Sequence, residues 1–216
     1  MNRQNLEKVF SSERLKKYFD AHPGDDAKAM IHYHSNLQIS EAFYPSLSIL
    51  EVALRNSLNQ QLIARFGVPD WYSHFPTTPG LSKLNKEITK AQQFITHRGE
   101  QVKAPKVVAE LTLGFWVRLF NAEYERILWK DLRRAFPNLP KQQRQRKNVS
   151  APLNRFRNLR NRIFHNEAIC WNLHDLEKAH LELVTLLSWI NRDLPLWLQP
   201  VDRFDAVLQE VKKNLK

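Results

Sequence analysis

Cysteine occurs once in this chain of 216 residues, at Cys170, so no internal disulfide can form. A lone cysteine fits a reducing compartment. Nothing beside it makes a nucleophile pair, so Cys170 reads as a small buried filler. Glycine is scarce, with five residues. There is no glycine-rich phosphate loop, which sets aside the P-loop nucleotide hydrolases. No apolar run approaches the roughly 20 residues needed to cross a bilayer. The N-terminal stretch MNRQNLEKVFSSERLKK has no apolar leader segment. A soluble, cytoplasmic protein with no membrane partner is therefore expected. His22, His32, His34, His74, His97, His174 and His180 show no metal-ligand spacing, and no H-E-x-x-H occurs. No metal and no cofactor is expected. There is no strand-like alternation, no internal repeat and no linker long enough to separate two domains.

What remains is rich in Leu, Arg, Lys, Gln and Glu, residues that lose little rotamer freedom in a helix. With 43% hydrophobic residues the chain can fill a core. It is also basic, with a net charge of +11. Between Arg126 and Arg162 stand twelve Lys/Arg and one Asp, and elsewhere the two signs balance. The whole positive excess is regional. Charge concentrated in this way points to a polyanion, and RNA is the expected partner.

The pattern predicts one all-α domain over residues 1–216, with about seven to nine helices. Ser11 and Ser12 precede a first helix, which Pro23 and Gly24 end. A second helix is expected from Asp25 to Leu37. The clearest runs from Ile39 to Phe66, where Phe43, Leu47, Leu50, Leu54, Leu58, Leu62 and Phe66 recur three and four apart. Pro45 lies near its start, where it kinks or delays a helix, and Gly67 is its stop. A loop over 67–80 leads to a polar helix over 81–96. Pro105 suits the first turn of another helix, with an apolar face through Leu113, Trp116, Val117, Phe120, Tyr124, Ile127, Leu128, Leu132 and Phe136. Gly114 is its expected interruption. Trp116 and Trp129 read as core. The run KQQRQRK over 141–147 is a basic connector, most simply solvated, although it could track an RNA backbone. A helix from Pro152, one capped by Asn172 and one from Arg203 to Leu215 complete the chain.

Chemistry concentrates in Arg160-Asn161-Arg162-Ile163-Phe164-His165. This run puts a phosphate binder, an amide and an imidazole within about one and a half helical turns. Histidine suits a general acid or base near neutrality. On a helical wheel Arg160 and His165 lie about 140° apart. They can converge in a groove, as between two copies related by a two-fold axis, but not on a flat helix face. Asn166 can take the left-handed conformation that ends helices. Ile163 and Phe164 look like anchors.

That run fits the Arg, polar residue, three residues, His pattern of the HEPN ribonucleases. Its context over 157–169, RNLRNRIFHNEAI, resembles the Abi-like branch, linked to bacterial abortive infection of phage. Leu50-Glu51-Val52-Ala53-Leu54-Arg55-Asn56 is similar to that branch's N-terminal helix signature, and Gly114-Phe115-Trp116-Val117-Arg118-Leu119-Phe120 to its central segment. The resemblance spans about residues 30–190. One departure is Asn166-Glu167, where relatives often carry His-Glu. It removes an auxiliary imidazole and leaves the Arg and His of the core motif.

The resemblance implies a HEPN-like helical bundle and metal-independent RNA cleavage, with the 2'-hydroxyl attacking the adjacent phosphate. His165 would be general acid or base. Arg160 would bind the scissile phosphate and stabilise developing charge, and Asn161 would orient phosphate or imidazole. The site would form in a homodimer, and the setting would be phage defence or a toxin. An antitoxin or a modifying partner could silence such a protein. RNA would further contact Arg144, Arg146, Lys147, Arg155, Arg157 and Arg162. Glu51 and Arg55 are an i, i+4 pair, most simply a local ion pair. The sharper expectation is that Glu51 positions Arg160 from behind, with Arg55 and Asn56 in the same network. A plainer account of Arg160 and His165 is a surface arginine and a capping histidine. On that account the protein is a non-catalytic helical RNA-binding or adaptor protein.

Overall fold

The computed structural model describes residues 3–216. Met1 and Asn2, the start of the stretch expected to lack a leader, lie outside the described residues. Eleven α-helices and several 3-10 turns are present among the described residues, with no strand. In chain order they are α1 (Arg3–Phe10), α2 (Ser12–Ala21), α3 (Asp26–Phe66), α4 (Asn85–His97), α5 (Ala104–Glu110), α6 (Leu113–Arg118), α7 (Glu125–Leu132), α8 (Arg146–Phe164), α9 (Leu173–Ile190), α10 (Leu194–Leu198) and α11 (Phe204–Asn214). The count exceeds the expected seven to nine because α1 and α10 were not foreseen and one expected helix is three. No helix among the described residues is long and apolar enough to cross a membrane.

The centre of the fold is α3, which packs against α2, α7, α9 and α11. It is one helix of 41 residues where two were expected. Asp25 caps it, its side chain accepting from the Lys28 N–H at 2.9 Å. No glycine or proline stands between Asp26 and Tyr44, so nothing breaks it near Leu37. It also runs through Pro45. A proline inside a helix costs about 3 kcal/mol. Burial of Phe43, Leu47 and Leu50 around it returns roughly 1.5–3 kcal/mol each, so packing wins. The helix stops at Gly67, whose φ of 77° is left-handed. The expected stripe is buried as far as Leu62, and Phe66 packs at the margin.

The expected long helix after Pro105 is instead α5, α6 and α7. The breaks are at Thr112 and Asn121, both extended, rather than at Gly114. The Thr112 hydroxyl accepts from the Phe115 N–H at 3.3 Å and starts α6. The Trp116 indole N–H donates to the Leu111 carbonyl at 3.2 Å and fixes the corner. Helix α8 begins at Arg146, ahead of the expected Pro152, and encloses that proline. The KQQRQRK run is thereby split between a 3-10 turn over Lys141–Gln143 and the first turn of α8. Asn172 caps α9 as expected, its side chain accepting from the Asp175 N–H at 3.2 Å. One core draws residues from Ile39 to Val211. A satellite of Leu15, Tyr18, Phe19, Ala29 and Tyr33 joins α2 to the start of α3.

Candidate functional site

Helix α8 buries Val149, Leu153, Phe156 and Ile163 against its neighbours α6 and α9. Arg160 stands four after Phe156 and three before Ile163, so its stem lies on this same face and runs toward α3, with Phe164 at the margin and Asn161 turned outward. The helix closes at His165, whose N–H donates to the Asn161 carbonyl at 2.9 Å. Asn166 follows with φ of 53°, the left-handed conformation foreseen for it. The Glu167 N–H then donates to the Arg162 carbonyl at 2.9 Å.

The structure brings Arg160 to Glu51 of α3. Its Nε lies 3.4 Å from Glu51 Oε2. That Nε is sealed from solvent and makes no aligned hydrogen bond, so the contact is one of charge. The guanidinium carbon stands 4.3 Å from the Phe164 ring centre, a cation–π distance. Phe164 in turn faces Tyr44 with ring centres 6.2 Å apart. The terminal nitrogens of Arg160 make no hydrogen bond among the described residues. Arg160 is thus aimed by Glu51 and Phe164 while its fork stays free.

His165 lies elsewhere. It is exposed and lines a cavity of about 480 Å³ between α2 and the end of α8. Arg160 is not on that wall. Asn161 is exposed, and its side chain has no hydrogen-bond partner among the described residues. Within one chain, then, Arg160 and His165 do not share a pocket. Phe164 beside Arg160, and Tyr44 beyond it, are large and exposed. Val52 of α3, also exposed, lines a separate hollow with Ile49 and with Trp197 of α10.

The other expected residues divide. No ion pair joins Glu51 to Arg55 among the described residues. The Arg55 Nε instead reaches Asn56 Oδ1 at 3.5 Å, and both line a separate hollow beside α5. They do not extend the Glu51–Arg160 contact. The basic region is split by folding. Arg144 donates to the carbonyls of Leu139 at 3.1 Å and Pro137 at 3.4 Å. Arg146 is only 17% exposed and holds Glu125 and the Phe120 carbonyl, both at 2.8 Å. Arg155 grips Glu182 with two nitrogens. Arg157 leans on Asn158 Oδ1 at 3.4 Å. Arg162 holds Glu167 at 3.2 Å and the Ala168 carbonyl at 2.9 Å. Of these six, Lys147 alone is exposed without a partner among the described residues. Four others, Arg126, Lys130, Arg133 and Arg134 on and just after α7, are exposed and equally unpartnered. Their spacing of four, three and one puts them along one side of the helix.

Sequence reasoning missed the residues that hold the segment after His165. Asn36, in the first third of α3, is 2% exposed. Its Oδ1 accepts from the Ile169 N–H at 2.7 Å and the Cys170 N–H at 3.0 Å. Its Nδ2 donates to the Glu167 carbonyl at 3.3 Å. His32, one turn earlier, has Nε2 2.7 Å from the Cys170 carbonyl and Nδ1 3.1 Å from His22 Nε2. The carbonyl can only accept, so His32 Nε2 carries a hydrogen and Nδ1 accepts from His22. Burial lowers the His32 pKa, the Cys170 carbonyl opposes this, and His22 adds to it. The Arg14 Nη1 donates to the Asn166 carbonyl at 2.7 Å. A polar residue inside an apolar stripe was the available signal for Asn36. Its partners, more than 130 positions away, were not readable. Among the described residues no three His, Cys, Asp or Glu side chains gather to hold a metal ion.

Comparison with family models, with curated proteins and with solved structures returned no match.

Proposed function

We propose that this chain is a HEPN-type, metal-independent endoribonuclease acting in phage defence by abortive infection or as a toxin. The observation that carries the proposal is the six-residue motif at the exposed end of α8, with the Arg160 fork aimed and unspent. In the proposed reaction the substrate 2'-oxygen bonds to phosphorus and the 5'-oxygen leaves. The products are a 2',3'-cyclic phosphate and a 5'-hydroxyl. One imidazole takes the 2'-hydroxyl proton and one delivers a proton to the leaving oxygen. Two copies of His165 in a homodimer would fill both roles. Arg160 would donate to the non-bridging oxygens as charge builds there, and Asn161 would orient the phosphate.

The exposed rings of Phe164 and Tyr44 beside Arg160 support assembly of two copies at this face. A composite site would also answer the separation of Arg160 from His165 within one chain. A protein antitoxin or a covalent modification on the same face would silence it. The cations of α7, with Lys147, offer the RNA backbone a track that no internal carboxylate has neutralised.

The test is cleavage of a mixed RNA pool by the wild type, His165→Ala and Arg160→Ala, with EDTA present and product ends analysed. General acid–base catalysis is worth roughly 10²–10⁴ in rate, and a charge-stabilising donor roughly 10²–10³. Losses of that size in folded variants, with cyclic phosphate ends from the wild type, are the expected result. An unchanged rate in either variant removes that residue from the mechanism. A second reading, a non-catalytic RNA-binding or adaptor protein, is favoured by one observation: Arg160 is already paired with Glu51. It predicts salt-dependent RNA binding without cleavage, and a larger effect of His165→Ala on melting than on any activity.

A further inference from the structure

Tyr18 and Tyr33 are 2% and 8% exposed. Their rings meet edge to face, with centres 5.2 Å apart, inside the satellite core of α2 and α3. That packing needs rings, and phenylalanine would supply it. Buried tyrosines ordinarily find a partner for the hydroxyl. Here neither hydroxyl has one among the described residues, and neither is sealed from solvent. Both residues line the cavity that contains His165.

The rest of that wall is charged. Lys17 is exposed and unpartnered among the described residues. Arg14 spends one nitrogen on the Asn166 carbonyl and keeps the others. Arg162 is held by Glu167 and the Ala168 carbonyl. Glu13 and Glu167 also border the cavity. Glu167 is paired with Arg162, so the uncompensated charge on the α2 side is Lys17. The acidic Glu13 opposes it from the rim. Burial raises the Tyr18 hydroxyl pKa above its ordinary value, with Tyr33 and Cys170 adding to this and Arg14 opposing it. Tyr18 therefore stays a donor at neutral pH.

Two neutral donors, a free ammonium and an arginine around one hollow match an anion with several acceptor oxygens. We infer that this cavity is a subsite for an RNA phosphate flanking the scissile linkage, bound by the Tyr18 and Tyr33 hydroxyls and by Lys17. The identity of the ligand as RNA rests on the ribonuclease proposal, whereas the donor set does not. The subsite would seat the substrate against His165 from α2, an element outside the span of the resemblance.

The experiment uses the full chain and a labelled 2'-O-methyl hexaribonucleotide, which has no free 2'-hydroxyl and cannot be cleaved by 2'-attack. Fluorescence anisotropy at low salt compares the wild type, Tyr18→Phe/Tyr33→Phe and Lys17→Ala. A hydrogen bond to a charged group is worth roughly tenfold in Kd at the low end, so the double variant should lose on the order of a hundredfold. Lys17→Ala weakens binding and lowers the salt slope by about one. It is exposed and unpartnered, so it keeps the test alive if the double variant melts early. Binding by both variants equal to the wild type overturns the subsite, as does a wild type that does not bind. Unmodified RNA is incubated in parallel. Tyrosine-dependent binding with no cleavage would retire the ribonuclease proposal and leave the subsite standing.

Discussion

Replacing Asn36 with alanine is expected to loosen the segment that follows His165, and the size of the effect follows from its contacts. Oδ1 accepts two backbone N–H groups, those of Ile169 and Cys170, in a buried setting. Alanine strands both. An unsatisfied buried donor costs about 1–3 kcal/mol, so two give roughly 2–6 kcal/mol. Water entering the space left by the amide brings this toward the lower half, near 3 kcal/mol by the same scale. A chain of this size melts about 2–4 °C lower per kcal/mol, so Tm should fall by about 6–12 °C. Thermal unfolding by circular dichroism reads this directly. Hydrogen exchange at the Ile169 and Cys170 amides should accelerate well before the rest of the fold. On the ribonuclease proposal, cleavage should also fall at temperatures where the variant is fully folded, because the end of α8 is no longer fixed. A Tm within about 2 °C of wild type would refute the accounting. It would mean that the two amides find other partners.

Glu51→Gln keeps the shape and removes the charge behind Arg160. The pair is partly exposed, so stability should change by no more than about 1 kcal/mol, whereas cleavage should drop roughly tenfold to a hundredfold if Arg160 loses its aim. Equal activity would show that Phe164 alone positions it. The lowered pKa of His32 gives stability a pH dependence of definite sign. Below its unfolded pKa of about 6.5 the unfolded chain takes up a proton that the folded chain resists. Stability should therefore fall as pH drops from about 7 toward 5, and the slope should flatten in His32→Gln. Equal slopes would exclude His32 as the source. Burial pushes the Cys170 thiol up to about 11, so iodoacetamide at pH 8 should label it only in denaturant. Rapid labelling of the native protein would contradict its burial.

Most of the helices could be read from the sequence because their signals are local. Asp25, Asn172 and Gly67 act at their own helix ends, and the stripe from Phe43 to Leu62 reports its own burial. The errors also have local causes. Thr112 and Asn121 are ordinary capping residues that break the chain where Gly114 does not, and the core around Pro45 outweighs the cost of a proline in the helix. The motif itself was legible, including the left-handed Asn166 after His165, because its residues are consecutive. Its surroundings were not. Arg144, Arg146 and Arg155 look alike in the sequence as free cations. Which of them is spent depends on carbonyls and carboxylates brought from other elements.

By itself the sequence determined an all-helical chain, a regional positive charge and the contents of the motif, since periodicity, net charge and adjacency need no knowledge of contacts. Only the tertiary structure decided that Glu51 meets Arg160, that Asn36 holds Ile169 and Cys170, and that Tyr18 and Tyr33 open onto the hollow beside His165. It also decided that Arg146 and Arg155 are spent on Glu125 and Glu182, while Arg126, Lys130, Arg133, Arg134 and Lys147 stay exposed without a partner among the described residues. Each of these is a pairing across long sequence separation. Such pairings are set when buried faces of different helices choose one another, and no single helix carries that choice.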